Sequence, residues 1–218
     1  MAYEERLQGE YGRLLREASA HFAGKSSVYQ TLLNLARRLE EESISYAVIG
    51  GMALGKYGYA RMTEDVDVLM TAEGLAAFQA RLVGKEYVPA FAGARKSFRD
   101  TETQVRIEII TTGEYPGDGT LRAKSVVFPD PIEASVEVEG VRVVTLEKLI
   151  ELKLASGMSA PHRLRDLADV QDLISALRLP ADFAERLDES VRDQYARLWQ
   201  AIHSAQVNKT NETISNMQ

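Results

Sequence analysis

The pattern of apolar positions predicts helices in the first quarter of the chain. Apolar residues recur at helical spacing within residues 4–20 and again within 29–39. Ser26 or Ser27 can cap the second of these helices. A further helical pattern covers residues 73–83. The N-terminal part therefore contains several helices, but they are interrupted by segments of another kind.

Those interrupting segments are short and apolar or alternating, which is typical of strands. The predicted strands lie at 46–49, 66–70, 96–98, 105–110, 136–138 and 141–144. The last two flank Glu139 and Gly140, a dipeptide suited to the turn of a hairpin. Gly50 and Gly51 end the first strand, and a short helix is expected after them.

From Thr145 onward the pattern is helical. Thr145 can cap a helix that Gly157 would close, and Pro161 can open the next one. A last amphipathic helix follows. The chain is therefore predicted to contain a mixed α and β domain with N-terminal helices at residues 1–144, a helical domain at 145–207, and a polar tail, expected to be disordered, at 208–218.

Composition narrows the function classes. No apolar run reaches the roughly 18 residues of a membrane span, and the N-terminus lacks the pattern of a signal peptide. There is no cysteine, so disulfides and thiolate metal sites are excluded. A cytoplasmic protein without membrane association is expected. The net charge of −6 argues against a broad surface for nucleic acid, although a local basic patch is compatible with it.

Asp65 and Asp67 form the first chemical constellation. Residues two apart on a strand point to the same face, and two adjacent carboxylates repel each other unless a cation lies between them. Oxygen ligands of this kind suit Mg²⁺ or Mn²⁺. An Asp-x-Asp sequence alone is a weak signal, because polar turns also contain it.

Two neighbouring features strengthen the metal interpretation. Gly50 and Gly51 lie at a strand-to-helix junction, where glycines let a phosphate chain approach the backbone; a plain turn is the alternative. Glu108 lies in an alternating strand. It joins the two aspartates if its strand pairs beside theirs, and otherwise is only the solvent-facing member of that strand.

Taken together, 49–51, 61–67 and Glu108 resemble the polymerase-β superfamily of nucleotidyltransferases. The Arg-x-Thr-x-Asp-x-Asp sequence at 61–67 is similar to the bacterial branch of abortive-infection and toxin-type enzymes. The resemblance covers residues 45–110. It implies an α+β fold, with a mixed sheet flanked by helices and a C-terminal helical domain.

The resemblance also implies roles for individual residues. The metal ligands and catalytic acids would be Asp65, Asp67 and Glu108, and the nucleotide would be bound by Gly50, Gly51, Arg61 and Thr63. Arg61 has the alternative role of bracing the loop before its strand. The chain departs from the family pattern where many members have serine at the position of Gly51 and aspartate at that of Glu108.

The helical region carries the later motifs of the same branch, at 152–155 and 163–169. They imply that Lys153 contacts phosphate and that Asp166 is a catalytic or site-ordering acid. The Lys153 amine is expected to reach out from an apolar surface, so that Lys153→Ala weakens nucleotide binding without loss of fold stability. The alternative is a surface lysine, with Asp166 and Asp169 in ion pairs within their own helix.

The expected function is transfer of a nucleoside monophosphate from a nucleoside triphosphate (NTP) to an acceptor that the sequence leaves open: tRNA or another RNA, a protein, or a small molecule. A toxin–antitoxin role with a cognate antitoxin protein follows from the resemblance. The alternatives are a non-catalytic binding partner or antitoxin with this fold, and a small-molecule modifier such as an aminoglycoside adenylyltransferase. A basic cluster near the third acid can receive an RNA end or be a solvated face; its members are Arg95, Lys96, Arg99 and Arg106.

Overall fold

A computed structural model of the chain describes residues 25–59, 61–117 and 126–215, with side chains as far as residue 204. The helix predicted at 4–20 lies outside the described residues. In chain order, the helices and strands are α1 (Ser27–Glu41), β1 (Tyr46–Val48), α2 (Gly50–Lys56), β2 (Asp65–Met70), α3 (Ala72–Arg81), β3 (Tyr87–Pro89), β4 (Ser97–Asp100), β5 (Arg106–Thr111), β6 (Ser135–Val138), β7 (Val141–Val144), α4 (Leu146–Ser159), α5 (Leu164–Leu177) and α6 (Glu189–Ser215).

The strands form one seven-stranded sheet in the order β3-β4-β5-β2-β1-β7-β6. Two pairings, β2 with β5 and β1 with β7, are parallel, and the other four are antiparallel. The predicted α+β class, with a mixed sheet flanked by helices, is confirmed.

The described residues fall into two compact units. The first contains 25–56, 61–112 and 130–144, and therefore the whole sheet. The second contains 57–59, 113–117, 126–129 and 145–215, and is mainly helical.

One face of the sheet in the first unit is an apolar core. Val66 and Val68 of β2 and Ile107 of β5 are fully buried there. Phe78 of α3 packs against Phe98 of β4, with ring centroids 5.1 Å apart. Since successive residues of a strand point to opposite faces, the residues that alternate with this core lie on the other face.

Several predicted boundaries differ from the structure for local reasons. Strand β3 was not predicted, because three residues that end in Pro89 carry little signal, and proline is tolerated here only because β3 is an edge strand. The predicted hairpin is confirmed, with φ of 51° at Glu139 and 75° at Gly140, as its two-residue turn requires.

None of the helices in the described part of the chain is long and apolar enough to cross a membrane.

The helical unit corrects the prediction for Gly157. Gly157 does not close α4, which continues to Ser159. A Cβ at Gly157 would lie 2.6 Å from Cγ of Leu167, so this glycine permits close packing of α4 against α5. Helix α6 runs past residue 208, where the polar tail was predicted to begin, and ends at Ser215; the disorder of that tail stays a prediction. Extending an existing helix avoids the cost of nucleating a new one, so polar residues can continue it.

We predict that Gly157→Ala destabilises the protein, although alanine normally favours a helix over glycine. The added methyl group must displace Leu167, and overpacking of this kind costs about 1–3 kcal/mol. Gly55→Ala in α2 is the control, because its Cβ would meet nothing within 4 Å, and it should gain up to about 1 kcal/mol. Urea denaturation measures both. Equal stabilisation by the two alanines would contradict the packing role of Gly157.

Candidate active site on the polar face of the sheet

The parallel pairing of β2 and β5 brings the predicted acids together. Asp67 lies opposite Glu108, and Asp65 lies opposite Arg106. Register partners in neighbouring strands share a face, so all three carboxylates are on the face opposite the apolar core. The prediction that the strand of Glu108 lies beside that of Asp65 and Asp67 is confirmed.

The junction between β1 and α2 packs directly on Asp67. Gly50 has φ of +64°, in the left-handed region, and a Cβ there would lie 2.0 Å from Oδ2 of Asp67. The backbone N–H of Ile49 donates to the Asp67 carbonyl at 3.0 Å. Only glycine meets both requirements at position 50. Gly50 therefore has a structural reason that is tied to Asp67.

The next residues repeat this arrangement around Asp65. A Cβ at Gly51 would lie 2.9 Å from Oγ1 of Thr63, and that hydroxyl donates to Oδ1 of Asp65 at 2.9 Å. Serine at position 51 would therefore collide with Thr63. Arg61 donates to the carbonyl of Met62 at 3.2 Å, a contact within its own loop. Thr63 thus orients one of the two aspartates.

Arg106 is the counter-charge of this face. Its guanidinium lies 3.7 Å from Oδ2 of Asp65 and 3.6 Å from Oε2 of Glu108. The Arg106 side chain is 49% exposed and the two carboxylate side chains about a third exposed, so water weakens both ion pairs. From the sequence, Arg106 was expected only as a member of a general basic cluster. Its position two residues before Glu108 was the signal that both share a face.

The polar face carries oxygen donors of the kind that bind a divalent cation. Asp65 and Asp67 supply hard oxygen donors from one face, and Gly50 leaves no side chain between the turn and Asp67. As the side chains stand, no group of three or more acid or histidine residues within the described ranges is arranged as a metal site. Glu108 faces Arg106 instead. The two aspartates fit a cation, and Glu108 would join them only by leaving Arg106.

Lys153 and Asp166 come together in the helical unit. The amine of Lys153 donates to Oδ2 of Asp169 at 2.6 Å and to Oδ1 of Asp166 at 3.1 Å. The hydroxyl of Ser156 donates to the other oxygen of Asp166 at 2.7 Å, and Arg163 lies 3.4 Å from the same atom. These five side chains form a connected polar network between α4 and α5.

The network corrects the expectation for Lys153. Its amine does not reach solvent. The residue is only 5% exposed, because α4 is buried on nearly all sides. Asp169 is buried too and pairs across helices with Lys153. The sequence placed Asp166 and Asp169 one turn apart, but nothing in it indicated that Lys153 was their shared partner.

No protein-family model matches the chain, and no curated protein matches it. Solved structures that resemble it include the antibiotic-resistance factor ANT(2″)-Ia in solution, with 12% identity, a TM-score of 0.48, and coverage of 84% of this chain and 96% of that one. Its crystal structure with adenylyl-2″-tobramycin is 13% identical in sequence to this chain, with a TM-score of 0.47, and the match covers 82% of this chain and 97% of that one. An antigenic nucleotidyltransferase-like protein from Paracoccidioides brasiliensis is 18% identical, with a TM-score of 0.47, and the match covers 85% of this chain and 89% of that one. Likenesses of this degree leave the reaction to be argued from the residues of the site.

We predict that Gly50→Ala disrupts the acidic face. The substitution forces φ of +64° on alanine, at about 1–2 kcal/mol, and drives its methyl group into Asp67. Unfolding in urea measures the loss of stability, and magnesium titration followed by thermal melting measures the loss of cation binding. Gly55→Ala should keep the stability of the wild type and its response to magnesium. A fully stable Gly50→Ala variant with unchanged metal response would show that the β1–α2 turn tolerates a side chain.

We also predict that Lys153→Ala destabilises the protein by about 3–5 kcal/mol, because it leaves Asp169 buried without its cation. The exposed Arg165 of α5, the helix that carries Asp169, provides the control, and Arg165→Ala should change stability by no more than about 0.5 kcal/mol. Denaturant midpoints of the two variants decide the matter. A Lys153→Ala protein as stable as the control would show that the buried Asp169 does not need Lys153 as its partner.

Proposed function

We propose that the protein is a metal-dependent nucleotidyltransferase that moves a nucleoside monophosphate from an NTP to an acceptor. The observation that carries the proposal is the β2–β5 register, which sets Asp65, Asp67 and Glu108 on one polar face. The packing of Gly50 on Asp67 supports it, because the backbone turn expected to receive the triphosphate touches a proposed metal ligand.

Asp65 and Asp67 would hold Mg²⁺ or Mn²⁺, with Glu108 as the third ligand once it leaves Arg106. A bound divalent cation supplies charge neutralisation on the phosphates and activation of an attacking hydroxyl. Arg106, released from Glu108, would remain beside the face as a cation for developing negative charge.

The acceptor hydroxyl oxygen would form a bond to the α-phosphorus of the NTP. The bond to pyrophosphate would break, pyrophosphate would leave with the electron pair, and the hydroxyl proton would pass to a carboxylate or to water. Gly50 and Gly51 would bring the triphosphate against the backbone, while Thr63 keeps Asp65 oriented. Arg61 would contact phosphate from its loop.

We propose that Lys153 and Asp166 contribute indirectly, because their network holds α4 and α5 together. Both oxygens of Asp166 already accept hydrogen bonds, from Lys153 and from Ser156. Lys153 would reach a phosphate only by giving up its contact with the buried Asp169. A direct catalytic role for Asp166 and a phosphate contact for Lys153 stay predictions.

One observation favours the non-catalytic alternative, a binding partner or antitoxin of the same fold. Arg106 offsets part of the charge of Asp65 and Glu108, which lowers the cost of keeping idle carboxylates together. A cytoplasmic toxin–antitoxin role, with a cognate antitoxin as partner, is compatible with either alternative. Binding and transfer must therefore be measured separately.

Binding is tested by thermal melting with Mg²⁺ or Mn²⁺ and each of the four ribonucleoside triphosphates. A ligand at about one hundred times its Kd stabilises the folded state by about 2.7 kcal/mol, which raises Tm by roughly 5–10 °C for a chain of this size. Asp65→Asn and Asp67→Asn should remove the rise. Glu137→Gln, at an exposed carboxylate on the edge strand β6, should keep it.

Transfer is tested by incubating the wild type with labelled triphosphates and total cellular RNA, protein or an aminoglycoside. Label that appears on an acceptor, and disappears in Asp65→Asn, establishes the enzyme. A melting shift without transfer to any acceptor supports the binding-partner alternative. No melting shift with any triphosphate and metal, at millimolar concentration, would remove the basis of the proposal.

A further inference from the structure

A row of residues leads away from the acids across the sheet. In consecutive strands, Val88 lies opposite Arg99, Arg99 opposite Arg106, and Arg106 opposite Asp65. Because register partners share a face, both arginines are on the face that carries the acids. With strands about 4.8 Å apart, Arg106 and Arg99 lie roughly 5 and 10 Å from Asp65 along the row.

The basic cluster noted in the sequence is therefore divided between the two faces. Lys96 donates to Oγ1 of Thr111, and Thr111 alternates with Glu108 and points to the face of the core. Arg99 and Arg106 remain on the polar face, and together they are called the arginine row here. Only these two members of the cluster are shown by register to lie beside the acids.

The arginine row has donors to offer to a ligand. Arg99 is exposed and donates from Nη1 to the carbonyl of Gln104 at 2.9 Å, whereas a guanidinium carries five N–H donors in all. Arg106 is half exposed, and its carboxylate neighbours at 3.6 and 3.7 Å are beyond ordinary hydrogen-bond length. An anion can bind both guanidinium groups without breaking a short contact.

Ser97 adds an independent observation. It lies on β4 directly opposite Glu108, and hence on the same face. The residue is 6% exposed, and its hydroxyl has no hydrogen-bond partner within the described part of the chain. A buried hydroxyl normally finds a partner. Ser97 therefore supplies an unused polar group beside Glu108, in the register row next to the arginine row, in which Ser97, Glu108 and Asp67 lie side by side.

We propose that the arginine row binds the phosphate backbone of a single-stranded nucleic acid whose terminal hydroxyl is the acceptor. The inference rests on the proposed nucleotidyl transfer and names its acceptor class. Guanidinium groups bind phosphate with paired hydrogen bonds, and the row begins at the proposed reaction site. A terminal hydroxyl at Asp65 and Asp67 would leave the preceding phosphates over Arg106 and Arg99.

The same row disfavours other acceptors. A polycationic amine would gain nothing from the two arginines beside the acids, and carboxylates at positions 99 and 106 would suit it better. Phe91, in the turn between β3 and β4, is 65% exposed, and exposed aromatic rings are the side chains on which unpaired bases stack. The overall charge of −6 is compatible with a short site for a strand end.

The probe is a short fluorescent single-stranded RNA of mixed sequence, whose binding is followed by anisotropy over a series of salt concentrations. Arg99→Gln and Arg106→Gln should each weaken binding about tenfold, since each removes charged hydrogen bonds. Each should also lower the slope of log K against log salt by about 0.7. Arg142→Gln is the matched control, a strand arginine with a 38% exposed side chain that pairs with Glu40.

Arg99→Lys separates charge from general disturbance, because it should restore the salt slope while recovering only part of the affinity. The thermal shift with metal and NTP is measured on every variant. If Arg99→Gln and Arg106→Gln bind RNA like Arg142→Gln while the NTP shift persists, the arginine row is not the acceptor site, although the proposed transfer stands. If the wild type shows no NTP shift, the proposed function fails, and this acceptor role with it. Modification of a polycationic amine in preference to RNA would also overturn the inference.

Discussion

The site depends on the parallel register between β2 and β5. A slip of one residue would turn Glu108 toward the helices and bring Ile107 to the polar face. The buried residues on the opposite face oppose such a slip, because Val66, Val68 and Ile107 are each withdrawn from water, at about 1.5–3 kcal/mol per side chain. The apolar pattern that makes the core therefore also positions the acids.

That register has an electrostatic consequence. When ionised, the three carboxylates carry −3 and Arg106, the arginine within 4 Å of two of them, carries +1, so these four side chains together retain −3 + 1 = −2. A single divalent cation would balance this charge. Thr63 and Arg106 reduce the repulsion between neighbouring carboxylates, but both contacts are at the edge of water, and neither replaces a cation held between Asp65 and Asp67. The protein thus tolerates the acidic face, but the negative charge of its carboxylates is only partly balanced by the protein's own side chains.

Local chemistry accounts for what the sequence predicted well. Ser26 and Thr145 cap their helices as expected, with side chains that accept from Tyr29 and Lys148. The alternation of β2 and β5 predicted which residues share a face, and the adjacency of the two strands came with the family resemblance. Gly157 and Lys153 were misjudged for a common reason. Their environments are set by α5, the next α-helix along the chain, and no local pattern indicates how closely one helix approaches another.

The two groups of cations show how burial separates a charge that the fold itself uses from a charge that stays accessible to a ligand. Lys153 is enclosed and bound by two aspartates, so removing it would leave a buried acid uncompensated. Arg99 and Arg106 lie on an exposed face with long or few contacts, so an incoming anion need not displace a strong partner. From the sequence, Arg99 and Arg106 were expected either to receive an RNA end or to form a solvated face, and the family resemblance gave Lys153 the role of a phosphate contact. The structure favours the arginines for that role, because a ligand gains most from cations whose charge the fold has not already used.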